Sequence, residues 1–254
     1  MIKLLNWALP GLTSFTILIL LEEIIRVPKQ IYWLGPLALT LLIISIWQLT
    51  GLLKSKKFLR FSITPVFLFS SGLLFLLFLE GTITKQLFSV VLVVLLGVFL
   101  EVIFVWFHLR PKYQPNALEN ISAHLNLITI FLTACGFFSL IVFLNISVWV
   151  LALGFFVISA ILNYQLIWIS GTTWSVGYPY ITAITVAITE IFLAASFLPT
   201  SFYVSGLIVT VSYYLMTGLA QNWLIDIKEA RVVKRYLLIG VVSLIIILIT
   251  AKWF

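Results

Sequence analysis

Two carboxyl groups fall deep inside long apolar stretches of this sequence, and their positions suit them for chemistry in a membrane. Glu190 lies near the middle of ITAITVAITEIFLAASFLP, residues 181–199. Glu101 lies within the apolar residues 87–109, roughly 6 Å from their centre at about 1.5 Å per residue. A charge at such a depth in a bilayer costs at least about 2.5–3.5 kcal/mol. Each carboxyl must therefore meet protein or water, find a partner, or be protonated.

Helical spacing indicates which residues share a side with each carboxyl. Ala183, Ala187 and Ala194 fall on the side of Glu190, and small residues let two helices approach closely. We therefore expect Glu190 to face a neighbouring helix and not lipid. His108 lies two turns from Glu101 on the same side. These two groups either form a proton path toward the inner surface or are satisfied separately.

Other polar residues occur in neighbouring apolar stretches and supply further candidates. The fifth stretch carries His124 near one end and a polar and small stripe through Asn126, the sixth carries Asn163, and the eighth carries Tyr213. Such residues either pack helices together by hydrogen bonds or line a hydrated cavity. The binding or ion-linked candidates are Glu190, Glu101, His108, His124, Asn126, Asn163 and Tyr213. The sequence assigns no catalytic residue, and neither a metal nor another cofactor is predicted.

The composition determines which elements must position these groups. Hydrophobic residues make up 63% of the 254 residues and charged residues 9%, against roughly 45–50% and about 25% in soluble domains. So much apolar surface cannot be buried in a soluble core of this size, so the chain must be solvated by lipid. The single cysteine, Cys135, lies in an apolar run and excludes a disulfide framework or a cysteine metal site.

Nine stretches are long and apolar enough to cross a bilayer, which takes about 20 residues. In lipid their backbone groups must be paired within each segment, so each stretch is predicted to be a helix. The predicted fold is therefore all-α: one integral membrane domain over residues 1–254, a polytopic bundle of nine spans, with eight as the nearest alternative. The predicted spans are 4–22, 31–53, 62–79, 87–109, 121–144, 147–170, 179–199, 202–223 and 236–253. The first is the least regular because Pro10 and Gly11 interrupt it.

The distribution of Lys and Arg predicts the orientation. With the N-terminus inside, eleven of the 15 basic residues lie on the inner side, and the C-terminus is outside. This asymmetry explains the net charge of +7 better than nucleic-acid binding does. Residues 226–236 are predicted to form a short helix on the inner surface. We expect the cytoplasmic membrane of a prokaryote, with anionic lipid headgroups at Lys54, Lys56, Lys57 and Arg60.

Several enzyme classes lack their motifs here. No Gly-rich phosphate loop, HExxH, GxSxG or mid-span retinal lysine occurs. Phe104 and His108 have the Phe-x-x-x-His form found in glutamate-dependent intramembrane proteases, and His124 follows. In Glu22-Glu23-Ile-Ile-Arg26, however, Arg26 is one residue short of the spacing in that family. We therefore do not assign the chain to these proteases and predict an ion pair at this membrane end.

Three functions agree with this pattern. The first is a small transporter or an ion- or lipid-handling protein, with a midplane polar cavity around Glu190. The second is a structural or assembly subunit that binds a membrane-protein partner or a second copy of itself. The third and less favoured is a membrane-embedded enzyme that acts on a lipid or lipid-linked substrate through His108, His124 and Glu101.

Overall fold

The structure of the protein is a computed structural model that describes residues 2–51, 56–109, 116–224 and 230–251. Within these ranges the chain forms nine α-helices, no strand, and a short 3-10 turn at Pro28–Gln30. The helices are α1 (Ile2–Arg26), α2 (Ile31–Thr50), α3 (Lys56–Phe78), α4 (Thr82–His108), α5 (Ala117–Leu144), α6 (Val148–Ser170), α7 (Trp174–Ser196), α8 (Phe202–Leu224) and α9 (Ala230–Thr250).

All nine of these helices are long and apolar enough to cross a membrane, which confirms the all-α polytopic fold. The side of the membrane on which each terminus lies stays a prediction. Pro10 does not interrupt the first span, because α1 continues through it. Proline is tolerated in membrane helices, where neighbouring groups satisfy the backbone carbonyl that it leaves free.

Two segment predictions are wrong. The seventh span was predicted to begin at residue 179, but α7 begins at Trp174. Residues 230–236 were expected to belong to a separate surface helix, but they form the first turns of α9. Residues 226–229 of that predicted helix lie outside the described residues. In both cases the helix extends beyond its most apolar stretch, because paired backbone groups favour continuing the helix into the headgroup region.

The contacts between helices group the chain into two compact units, and the first is Met1–Leu125. In it α1 packs against α2 and α4, and α3 packs against the same two helices. Close approach of α1 and α4 depends on Gly97, since a Cβ at this position would lie 2.7 Å from Ser14 Oγ. The interior is mostly apolar, with fully buried side chains that include Ile17, Leu42, Phe69 and Phe99.

The second unit is Asn126–Phe254. In it α7 lies between α6 and α8, and α9 packs against α8. The part of α5 in this unit touches α8 at Gly206, where a Cβ would overlap Cys135 Sγ. Three aromatic rings form the centre of the unit. Phe192 of α7 is fully buried and stacks nearly parallel to Phe138 of α5 and Phe155 of α6, with centroids 4.5 and 4.6 Å apart.

Candidate functional site

Glu190 lies on the exposed side of α7, and the expectation that it faces a neighbouring helix in the fold is wrong. Ala183 and Ala194 on its side of the helix are also exposed, and Ala187 is half-buried. The Glu190 carboxylate forms neither a hydrogen bond nor an ion pair with any described residue. The carboxyl is therefore at mid-span depth without a partner in the described part of the chain.

Packing of the opposite side of α7 explains this orientation. Its buried residues include Ile184, Ile188 and Phe192, and Phe192 forms the centre of the three-ring stack. Phe192 lies two positions after Glu190, which places their side chains about 200° apart around the helix. Lipid and protein interiors are equally apolar, so the small residues beside Glu190 did not indicate which side packs inward. The large aromatic ring packs inward because it fills more interior volume.

Glu101 in the first unit is also exposed on its helix, α4. One turn away, Gly97 lies against Ser14 of α1. In the other direction Phe104 is buried, and the His108 ring stacks on it at a centroid distance of 4.9 Å. The Nδ1–H of His108 donates to the Phe104 carbonyl over 3.3 Å. The predicted proton path between Glu101 and His108 stays a prediction.

His124 is exposed near the beginning of α5, and its Nδ1–H donates to the Asn120 carbonyl over 2.7 Å. Both histidines therefore use one ring nitrogen to bond their own helix. Among the described residues, no group of three His, Cys, Asp or Glu side chains is arranged to hold a metal ion. The convergence of His108, His124 and Glu101 that an enzyme would need stays a prediction.

The second unit contains a buried polar layer, which we define as Asn126, Gln165, Asn163 and Thr185. Asn126 Nδ2 of α5 donates to Gln165 Oε1 of α6 over 2.5 Å. Asn163 Nδ2, on the other side of α6, donates to Thr185 Oγ1 of α7 over 3.0 Å. All four side chains are at most 3% exposed. The layer thus joins three helices by direct hydrogen bonds.

One atom of the polar layer has no partner. Asn163 Oδ1 is fully buried and accepts no hydrogen bond from the described residues. An unpaired buried carbonyl oxygen costs about 1–3 kcal/mol, so this oxygen is suited to accept from a water or a bound group. Tyr213 of α8, another candidate, is buried with 4% of its surface exposed. Gln165 and Thr185 were absent from the predicted site, although an amide and a hydroxyl in apolar runs signalled them.

At the membrane ends, the predicted ion pair of α1 is present, and the predicted lipid contacts stay a prediction. Arg26 Nη1 donates to Glu23 Oε1 over 3.4 Å, which confirms the ion pair, and Gln86 Nε2 donates to Glu22 Oε2 over 3.2 Å. Of the predicted headgroup contacts, Lys54 lies outside the described residues, as do the side chains of Lys56 and Lys57. Arg60 is half-buried in the second turn of α3.

The described residues form nine apolar helices that can span a membrane, with polar groups hydrogen-bonded between them, as in an integral membrane protein. Residues 45–250 match the family described as "Protein of unknown function (DUF5656)", and since they form most of the chain, the protein belongs to this family. No curated protein and no solved structure matches the chain.

Proposed function

We propose that the protein is a subunit of a membrane complex, and that α7 binds a partner helix through the side that carries Glu190. The observation that supports this proposal most directly is the exposed carboxyl at mid-span, which has no partner among the residues that the structure describes. A carboxylate among acyl chains costs at least about 2.5–3.5 kcal/mol, and a partner group at the same depth would offset this cost.

The second unit cannot bury the Glu190 carboxyl by rotating α7. Turning α7 so that Glu190 faces inward would carry Phe192 out of its stack with Phe138 and Phe155. Loss of a buried phenyl ring costs about 3–5 kcal/mol, which offsets the gain of at least about 2.5–3.5 kcal/mol from removing the carboxyl from lipid. The orientation of Glu190 is therefore a stable feature of the fold, and its partner must come from outside the unit.

The surface around Glu190 supports a helix as that partner. Ala183, Ala187 and Ala194 let a second backbone approach, and close backbones gain dispersion contacts in lipid. Charge complementarity requires a Lys or Arg at the same depth on the partner. A second copy does not supply it, because the described basic side chains of this chain lie within two turns of a helix end or in a connecting turn. We therefore assign the surface to a different membrane protein with a basic mid-span residue.

The test uses a synthetic Leu/Ala transmembrane helix with one central Lys as the probe. The full chain carrying Ala194→Cys and Cys135→Ala is reconstituted with the peptide, which bears a cysteine one turn from its Lys, and disulfide formation is measured. We expect crosslinking that falls at least about tenfold when Glu190→Leu is added, equivalent to about 1.4 kcal/mol. Glu101→Leu is the matched control and should leave the crosslinking unchanged.

Two outcomes would overturn the proposal. Equal crosslinking to a peptide with a central Leu would show that binding does not depend on pairing between Glu190 and the Lys of the peptide. Crosslinked dimers of the protein itself, at the same yield without peptide, would assign the surface to a second copy.

A second candidate is ion- or proton-linked transport through the second unit. It is supported by the buried Asn163 Oδ1, an acceptor with no partner among the described residues. In this function the polar layer would be hydrated in part of a transport cycle, and Glu190 would bind and release protons. Transport would also give Tyr213 a role as a polar group along the path.

Transport is tested by measuring proton uptake into vesicles that contain the purified protein. Glu190→Gln should leave insertion intact and abolish a proton-coupled flux. A flux with the pH dependence of the unmodified protein would exclude Glu190 as the coupling group.

A further inference from the structure

Helix α9 is attached to the second unit along one side. Tyr236 of α9 occupies the space left by Gly218 of α8, and Leu215 of α8 occupies the space left by Gly240 of α9. The Tyr236 ring also lies 5.5 Å from that of Tyr214. Because these reciprocal contacts fix the rotation of α9, they also determine which of its residues point away from α8.

Three basic residues lie on the side of α9 that points away from α8. Arg231, Lys234 and Arg235 are all exposed, and none of them forms an ion pair with a described residue. Their helical spacing places the three side chains within about 100° of one another and roughly opposite Tyr236. We call these three residues the basic ridge. The ridge is a cluster of cations at one end of a membrane span, without an ion-pair partner in the described part of the chain.

An apolar track continues from the basic ridge along the same side of α9. It consists of Leu238, Val242, Ile245 and Ile249, which are between 46% and 77% exposed. The distance from Arg235 to Ile245 is about 15 Å along the helix, half of the roughly 30 Å hydrocarbon thickness. One side of α9 therefore presents cations at headgroup depth and a leaflet-long apolar surface below them.

We propose that this side of α9 binds an anionic phospholipid, with its phosphodiester on the basic ridge and an acyl chain along the apolar track. Guanidinium and ammonium groups match phosphate oxygens in charge and hydrogen bonding. The apolar track matches an acyl chain, which a soluble phosphate lacks. Charge and shape together therefore select a lipid and not a free anion.

The test measures lipid binding to the detergent-solubilised full chain by native mass spectrometry. The probes are dioleoyl phosphatidylglycerol, dioleoyl phosphatidylcholine and glycerophosphoglycerol, which is the anionic headgroup without chains. We expect phosphatidylglycerol to bind about tenfold to a hundredfold more tightly than phosphatidylcholine. The preference should disappear when Arg231, Lys234 and Arg235 are all changed to Gln.

The matched control is a second triple variant, in which Arg26, Lys29 and Lys85 become Gln. It removes the same charge from other helix ends and should keep the preference for phosphatidylglycerol. If both triple variants lost the preference for phosphatidylglycerol equally, net charge alone would explain it. That result would overturn the proposal. Displacement of the lipid by glycerophosphoglycerol at equal concentration would also overturn it, because the site would then recognise the phosphate alone.

Folding of each variant is checked independently through Cys135, which is buried in the second unit. Protection of this thiol from maleimide at the level of the unmodified protein shows that the unit is intact. A variant that loses both protection and lipid binding is replaced by Lys234→Gln alone, which should lower the preference by about a third on a logarithmic scale if the three charges contribute equally. An unchanged preference in that single variant would contradict the proposal.

Discussion

The two units of the protein pack their helices in the same neighbour order but hold them together differently. In the first unit α1 to α4 each contact the next helix, α1 contacts α4, and α2 contacts α4. In the second unit α6, α7 and α8 repeat that order, and α5 contacts α6, α7 and α8 through Asn126, Phe138 and Cys135. Helix α9 is added beside α8.

The difference lies in the groups between the helices. The first unit joins α1 to α2 by a hydroxyl pair, Thr13 Oγ1 and Ser45 Oγ at 2.7 Å, and the other buried polar side chains of its described part are also hydroxyls. The second unit uses amide side chains and a stack of three phenyl rings. Yet each unit leaves its mid-span carboxyl, Glu101 or Glu190, on an exposed side. Neutral polar groups thus join helices inside, while the acids are left available for contacts outside.

The largest difference between the units should follow removal of the central ring. We expect Phe192→Ala to destabilise the second unit by about 3 kcal/mol, because it leaves a cavity between Phe138 and Phe155. Maleimide labelling of Cys135 during an SDS titration measures this directly. Phe197→Ala, at a side chain that is 76% exposed, is the control and should change little. A cysteine at Ser89, in a Cys135→Ala background, reports unfolding of the first unit in the same way. If Phe192→Ala shifted the labelling midpoint equally at both cysteines, the two units would unfold as one.

Close helix contacts should be the next most sensitive feature. Gly206→Ala would force its new Cβ against Cys135 Sγ and should cost about 2 kcal/mol by overpacking. Gly97→Ala in the first unit should cost less, because the Ser14 hydroxyl can turn away. Circular dichroism in an SDS titration measures both variants. Adding Cys135→Ala should restore the stability of the Gly206→Ala variant, because it removes the sulfur. Failure of this rescue would contradict the contact between Gly206 and Cys135.

The polar layer should give the smallest effect of the three. A double-mutant cycle with Asn126→Leu and Gln165→Leu should yield a coupling of about 1 kcal/mol, within the range for hydrogen bonds between membrane helices. Thr13→Val in the first unit should cost about 0.5 kcal/mol, because Ser45 retains its bond to the Leu41 carbonyl. The same SDS titration provides both values. A cost of Thr13→Val larger than the coupling between Asn126 and Gln165 would reverse the comparison.

The sequence predicted the number and the approximate limits of the spans because backbone pairing in lipid requires long apolar helices. The polar stripe of α5 was also visible in the sequence, and its residues Ser122, Asn126, Thr129 and Thr133 are all buried. Whether the stripe packs helices or lines a hydrated cavity stays a prediction. The sequence did not predict correctly which side of α7 packs inward. In water an acid would indicate the exposed side, but in lipid both sides of a helix meet apolar surroundings, so the pattern around Glu190 was ambiguous. The packing of Phe192 decided the outcome, and that contact involves residues far apart in the chain.

The exposed position of Glu190 is the claim on which the proposed function depends most. Nitroxide labels on single cysteines at Ala187, Ala194, Ile184 and Ile188, in a Cys135→Ala background in lipid vesicles, would measure collision with oxygen dissolved in the bilayer. We predict high oxygen accessibility at Ala187 and Ala194 and low accessibility at Ile184 and Ile188. The reverse periodicity would place Glu190 inside the fold and contradict the account.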